Sequence, residues 1–279
     1  MKPRICLSLL ICLLTVPSLA ATDANSLEDA VFGGEFDLNL RVRGEIVDSD
    51  GVEDARAFTE RLRLGYGSKA YKGFSFYVDF EDIQSFDDDR YNASGLNSNL
   101  TKATVADPEA TELNQGYLNY YNADQGFNGR FGRQRIILDD ARFVGNVGWR
   151  QNEQTFDAAS FTLSLPFDVK AHYSYLWDIN RIFGQSTGTA GTSDYESDSH
   201  LFNVSATDEA FGTLTGFAYL LDFESSPANS SDTFGLATTD HLPCQMSIQW
   251  RPFFPMPIKK TTAPILRTTM RTTILPNCL

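Results

Sequence analysis

From residue 34 to residue 236 the dominant period of the sequence is two, and in several segments the polar half of the alternation is arginine. A chain patterned this way folds as strands with two unlike faces. "FDLNLRVRGEI" sets Phe36, Leu38, Leu40, Val42 and Ile46 against Asp37, Asn39, Arg41, Arg43 and Glu45, and "FTERLRLGY" sets Leu62, Leu64 and Tyr66 against Thr59, Arg61 and Arg63. "FSFYVDFE" and "VKAHYSYLWD" repeat the pattern, the latter with Lys170, His172, Ser174 and Asp178 opposite Val169, Ala171, Tyr173, Tyr175 and Trp177. Weaker alternation near residues 112–121, 130–136, 159–165, 200–206 and 213–223, with a further start at "TFGL", predicts about nine to ten strands. Two segments break phase. Arg133 and Arg135 share a face with Phe131, where a bulge or a position at a membrane rim is expected, and residues 213–223 are apolar on both sides.

The connections alternate in length. After a first loop at 47–54, residues 67–73, 122–129, 166–168 and 207–212 are short, whereas 82–111, 137–154 and 179–199 are long. A soluble sandwich has no cause to alternate; an outer-membrane barrel does, with tight turns at one rim and extended loops at the other. Energetics then assigns the faces. An arginine facing lipid at mid-membrane costs roughly 2–4 kcal/mol, and Arg41, Arg43, Arg61, Arg63 and Lys170 would all incur it together. The basic face, with Arg130, is therefore expected to line a pore. The Phe and Leu face meets lipid, with Tyr66, Tyr173, Tyr175 and Trp177 in the interfacial girdle.

Residues 1–20 read as a cleaved secretory signal: Lys2 and Arg4, an apolar run to Val16, then small residues at Ser18 and Ala20. That run is too short for a spanning helix. A short periplasmic lead, 21–33, follows. Cysteines occur only at 6, 12, 244 and 278, which favours a fold closed by its own ladder over one closed by disulfides. The net charge of -13 argues against a nucleic-acid partner.

The stretch "GRQRIILDDARFVGNVGWRQNEQTFDA" (residues 132–158), preceded by "VADPEATELNQGYLNYYN" and followed by "SYLWDINRIFG", resembles the bacterial alginate-export outer-membrane proteins. The resemblance implies an antiparallel transmembrane β-barrel in a Gram-negative-type outer membrane that passes an anionic uronic-acid polysaccharide. On it, Arg133, Gln134 and Arg135 match the basic start of the motif. Arg142, Asn146, Trp149, Arg150, Gln151, Asn152 and Gln154 match a loop that narrows the passage. Guanidinium and amide groups bind carboxylates and sugar hydroxyls through many weak contacts, as a polymer that must also be released requires. The plainer alternative is that these groups only pin the loop to the barrel wall.

Other chemistries have little support. His172, His200 and His241 form no metal-binding pattern, and no nucleophile elbow or phosphate loop is present, so no catalytic residue, metal or cofactor is expected. Asp139 and Asp140 are a carboxylate pair of a kind common in loops. The stretch 48–54 fails the EF-hand spacing, and Asp87 to Asp89 read as a solvated acidic tip. Outer-membrane lipid and an anionic saccharide or small anions are the expected partners, with no indication of oligomeric state. Two alternatives remain: a general anion-selective porin, and a secreted β-sandwich that binds carbohydrate.

Beyond residue 240 the character changes. Residues 241–279 are basic without an acidic residue, carry most of the prolines and show no alternation, so strands are not expected there. Read one base earlier, residues 258–278 have synonymous codons for an acidic, Gly- and Asn-rich loop followed by an alternating strand start. The segment is thus expected to be out of frame, and the strands before it to be the first part of a larger barrel; a disordered tail is the alternative.

Overall fold

The computed structural model describes residues 6–15, 23–184, 193–209, 212–239 and 246–250. It is an antiparallel all-β chain. β1 (Cys6–Thr15), β2 (Glu35–Val47), β3 (Ala55–Gly67), β4 (Phe74–Ser85), β5 (Ala110–Asn122), β6 (Phe127–Gln134), β7 (Thr155–Leu165), β8 (Val169–Asn180), β9 (Asp194–Asp208), β10 (Gly212–Leu221), β11 (Ser231–Thr239) and β12 (Met246–Trp250) pair in chain order within one sheet. This order overturns the β-sandwich alternative, which needs two packed sheets joined by crossing connections.

Short and long connections alternate along the chain. Turns at 68–73, 123–126 and 166–168 separate longer loops at 86–109 and 135–154. Two of the tight turns rest on left-handed residues, Lys72 (φ 52) with Gly73 (φ 85) and Phe167 (φ 64) with Asp168 (φ 52), the twist that closes a two-residue hairpin. The lead contains a short helix, α1 (Leu27–Phe32), started by Ser26, whose hydroxyl accepts from the Asp29 amide at 3.1 Å.

The chain divides into two compact units. In the first (Met1–Tyr121, Arg130–Ala158 and Asp178–Tyr195) the usual burial order is inverted. Phe36, Leu38, Leu64 and Phe80 are exposed, while Arg41, Arg43, Arg61, Arg63, Asp79 and Glu81 are buried. Register enforces the separation, since Leu38 lies opposite Leu64 and Leu64 opposite Phe80, while Arg41 faces Arg61 and Arg63 faces Glu81. Large apolar side chains left outward over several strands suit a face covered by hydrocarbon.

The second unit (Asn122–Gly129, Ala159–Trp177 and Glu196–Leu279) repeats the inversion with hydroxyl and amide groups. Ser160, Ser174, Ser199, Asn203 and Thr215 are buried, and Phe161, Phe202, Val204, Leu214, Phe234 and Leu236 are exposed. Aromatic contacts run across its outward face, from Phe161 to Tyr173 at 6.4 Å and from Tyr173 to Phe202 at 4.9 Å. The two-sided apolar character of 213–223 has a specific cause. Phe217 points inward over Gly235, directly opposite on β11, and stacks on Tyr219, whose hydroxyl accepts from Asn203 at 3.0 Å.

At both ends of the sheet lie strands that the sequence pattern did not predict. β1, from the segment read as a signal, pairs along β2, with Cys6 opposite Val47. β12 corrects the expectation of no strand after 240: between Pro243 and Pro252, Met246, Ile248 and Trp250 alternate with Ser247 and Gln249, and this stretch pairs with β11. The remainder of that segment, including His241, Cys244 and Cys278, lies outside the described residues.

Candidate functional site

The site is the polar face of β2 to β5 in the first unit and the loop 135–154 folded upon it. On the strands alone this face is unfavourable. Arg41 and Arg61 are direct cross-strand neighbours, Arg43 and Arg63 extend the cluster, and like charges placed opposite repel. The loop relieves this with its backbone. The Arg41 guanidinium donates to the carbonyls of Gly148 (3.1 Å), Arg150 (2.9 Å) and Trp149; Arg43 donates to Trp149 O at 2.9 Å, and Arg61 to Gln151 O at 3.0 Å. Gln151 also donates to Thr59 Oγ1 at 2.9 Å, and Asn152 to Glu112 Oε1 at 2.8 Å. Successive carbonyls of residues 148–151 thus accept from three buried guanidinium groups, and loop and wall support each other.

Carboxylates complete the compensation. Arg43 pairs with Glu45 and, at 3.1 Å, with Asp107; Arg150 reaches Glu45 at 3.3 Å; Arg63 pairs with Glu81 at 2.6 Å and Glu153 at 3.0 Å. Asp107 belongs to the other long loop, 86–109, and joins the two loops by accepting the Gln151 amide at 2.9 Å. It is held from its own side by Tyr91, whose hydroxyl donates to Asp107 O at 2.9 Å. Tyr91 sits in a small apolar core with Ala55, Ala57, Ala93, Ala103 and Val105, and burial pushes its phenol up to about 12.

Glu153 is the lower anchor of the loop. One of its oxygens accepts from Asn114 at 2.8 Å and Arg135 at 2.6 Å, and the other from Asn146 at 2.7 Å. Asn114 is available because β5 has a bulge there: Gln115 pairs with Asp79 and Leu113 with Phe80. Asn114 and Gln115 consequently turn to the same side, and both donate to Asp79 Oδ2, at 3.2 and 3.4 Å. Burial acts to raise the Glu153 carboxyl, but Arg63 and Arg135 outweigh it and hold the group below its ordinary value of 4.5. A depressed carboxylate stabilises the docked loop above that ordinary value, and its contribution is lost as pH falls through the lower docked value. Tryptophan emission and protease access within 135–154 are therefore expected to stay constant from neutral pH down to the ordinary glutamate range and to change below it; a loop equally protected at strongly acid pH contradicts the anchor.

The sequence pattern of the alginate export family matches residues 34–253, most of the chain, including the loops 86–109 and 135–154 and the arginine-bearing strands. The chain belongs to the alginate export family. Comparison with curated proteins and with solved structures found no match. Membership places this alginate export protein in a family of outer-membrane transport proteins. The matched region continues past residue 240 and contains β12.

In this family member the residues singled out from sequence do not form one group. Arg41, Arg43 and Arg61 meet the loop backbone, Arg63 meets the Glu153 side chain, and Gln151 and Asn152 reach from the loop to Thr59 and Glu112 on the strands. Arg133 forms a two-pronged pair with Asp157 at 2.8 and 3.0 Å, and Gln134 donates to Ala158 O at 2.9 Å, so both tie β6 to β7. Arg130 lies 4.2 Å over the Tyr117 ring. Lys170 belongs to the second unit and is exposed. Gln154 braces the loop internally through Gly145 O at 3.1 Å. Trp149 is 58% exposed, with the Arg150 guanidinium 4.0 Å from its ring. Arg135 and Arg142 also keep solvent access, the latter beside Asp140 at 3.2 Å.

Sequence reasoning did not single out Glu45, Glu81, Asp107, Asn114 and Glu153. Glu45 and Glu81 were within reach, because they fall in phase with the arginines on β2 and β4. Asp107 and Glu153 lie in loops without periodicity, and only the folded loops bring them to the wall.

Proposed function

We propose that this protein contributes to an outer-membrane passage for anionic polysaccharide or oligosaccharide, with the 135–154 loop as its contact surface. In this reading the wall arginines position the loop, and Trp149, Arg135 and Arg142 meet the solute. The arginine-clamped loop backbone carries the proposal, because it holds an exposed indole beside cationic groups at a fixed place on the bore side. An indole face stacks on a sugar ring, and a guanidinium pairs with a uronate carboxylate and lets it go again in water. A general anion porin is the second reading, but burial of the wall arginines in ion pairs favours a solute recognised by its ring as well as its charge. Export to the outer membrane would follow removal of the leader.

The test is a titration of the full chain in non-ionic detergent with an oligouronate and with a neutral oligosaccharide of equal length, read by tryptophan emission. The oligouronate alone is expected to shift the signal. Trp149→Phe should abolish that shift, and Arg142→Gln should weaken binding by about fivefold, the equivalent of about 1 kcal/mol for a solvent-exposed charge pair. Equal binding of the neutral sugar, or an unchanged signal in Trp149→Phe, would refute the proposal.

A further inference from the structure

At the end of the sheet carrying the 68–73 turn, α1 lies beside the apolar face of β4 and β5 and leaves a hollow of about 380 Å³. Its wall is formed by Ala30 and Val31 of the helix, Phe74 and Phe76 of β4 and Leu118 of β5, with Leu27 exposed at its mouth. Phe74, Phe76 and Leu118 lie in phase with Phe80, on the side opposite the arginine wall. Aromatic contacts surround the hollow: Phe36 with Tyr66 at 4.9 Å, Tyr66 with Phe76 at 6.1 Å and Phe74 with Tyr120 at 4.7 Å. Rings of this kind mark the level at which hydrocarbon gives way to headgroups.

The polar end of the hollow is basic. Among the described residues Lys69 and Lys72 line it and no carboxylate does. Lys69 fixes the helix through Asp29 at 2.8 Å, whereas Lys72, on a left-handed turn residue, has its ammonium 5.2 Å from the Tyr71 ring centre. A saccharide would find no hydrogen-bond partners along the carbon wall, and a purely apolar occupant would make no use of the lysines. An apolar slot ending at cations fits a molecule with a long hydrocarbon chain attached to an anion.

We propose that the hollow binds one acyl chain of a glycerophospholipid whose phosphate pairs with Lys72. This inference rests on the outward direction of the apolar face and is independent of the saccharide reading. The test uses the full chain in non-ionic detergent with a phosphatidylglycerol that carries a diazirine on one acyl chain. Illumination is expected to place the adduct on Leu27, Val31, Phe76 or Leu118; labelling spread evenly over Leu38, Leu64 and Phe80 overturns the site. Ala30→Phe, which fills the hollow, should lower the yield about tenfold. Lys72→Gln should lower it about fivefold. Undiminished labelling in an Ala30→Phe protein that keeps its β-sheet circular dichroism also overturns the proposal, and the wild-type map decides without either variant.

Discussion

Glu153→Ala is expected to release the 135–154 loop from the wall while leaving the strands paired. The buried carboxylate serves Arg63, Arg135, Asn114 and Asn146 together, so its removal takes one acceptor from each of four groups at once. Removing one partner of a buried ion pair costs about 3–5 kcal/mol, comparable with the whole stability of a docked loop. Arg63 retains Glu81 at 2.6 Å, which places the effect in the loop and spares the β3–β4 ladder. Glu153→Gln keeps the shape and one set of acceptors, so its effect should be smaller. Hydrogen exchange decides: amides of residues 146–154 should lose protection while those of β2 to β4 keep theirs. A global loss would make Glu153 a folding residue, and no loss would dismiss it as the anchor.

The second large effect is expected at Gly132, where Gly132→Ala should disrupt the pairing of β6 with β5. Its φ of 118 is one that an L side chain rarely adopts, and an added Cβ would lie 2.4 Å from the carbonyl oxygen of Gly116 and 3.1 Å from Tyr117 Cα, both backbone atoms. The dihedral alone costs about 1–3 kcal/mol, and backbone displacement adds to it. Gly44→Ala is the matched control, because the nearest atom to its added Cβ is Phe58 Cδ2 at 3.9 Å. Heat-dependent gel migration of the refolded chains should show less folded protein for Gly132→Ala and an unchanged amount for Gly44→Ala. Equal behaviour of the two would mean that the glycine is not needed there.

Phe131 is exposed and Gln134 buried, as the alternation has them, and Arg133 and Arg135, on the side of Phe131, are paired, Arg133 with Asp157 and Leu113 O and Arg135 with Glu153. The bulge nearby is on β5, at Asn114, where alternation was too weak to reveal it.

The sequence by itself determined most of the strands between residues 34 and 239, which of their residues share a face and which connections are long. Each of these follows from a local rule: a pleat has period two, an arginine does not face hydrocarbon, and turn residues mark the tight ends. Tertiary structure alone decided what the arginines do. The same alternation would serve guanidinium groups open to a passing anion or groups buried under a folded loop, because it fixes a direction and leaves the partner open. Here the partners are carbonyls of residues 148–151 and carboxylates from residues as distant as Asp107 and Glu153. A carbonyl belongs to every residue and leaves no mark in a sequence, so loop docking becomes visible only once the chain is folded.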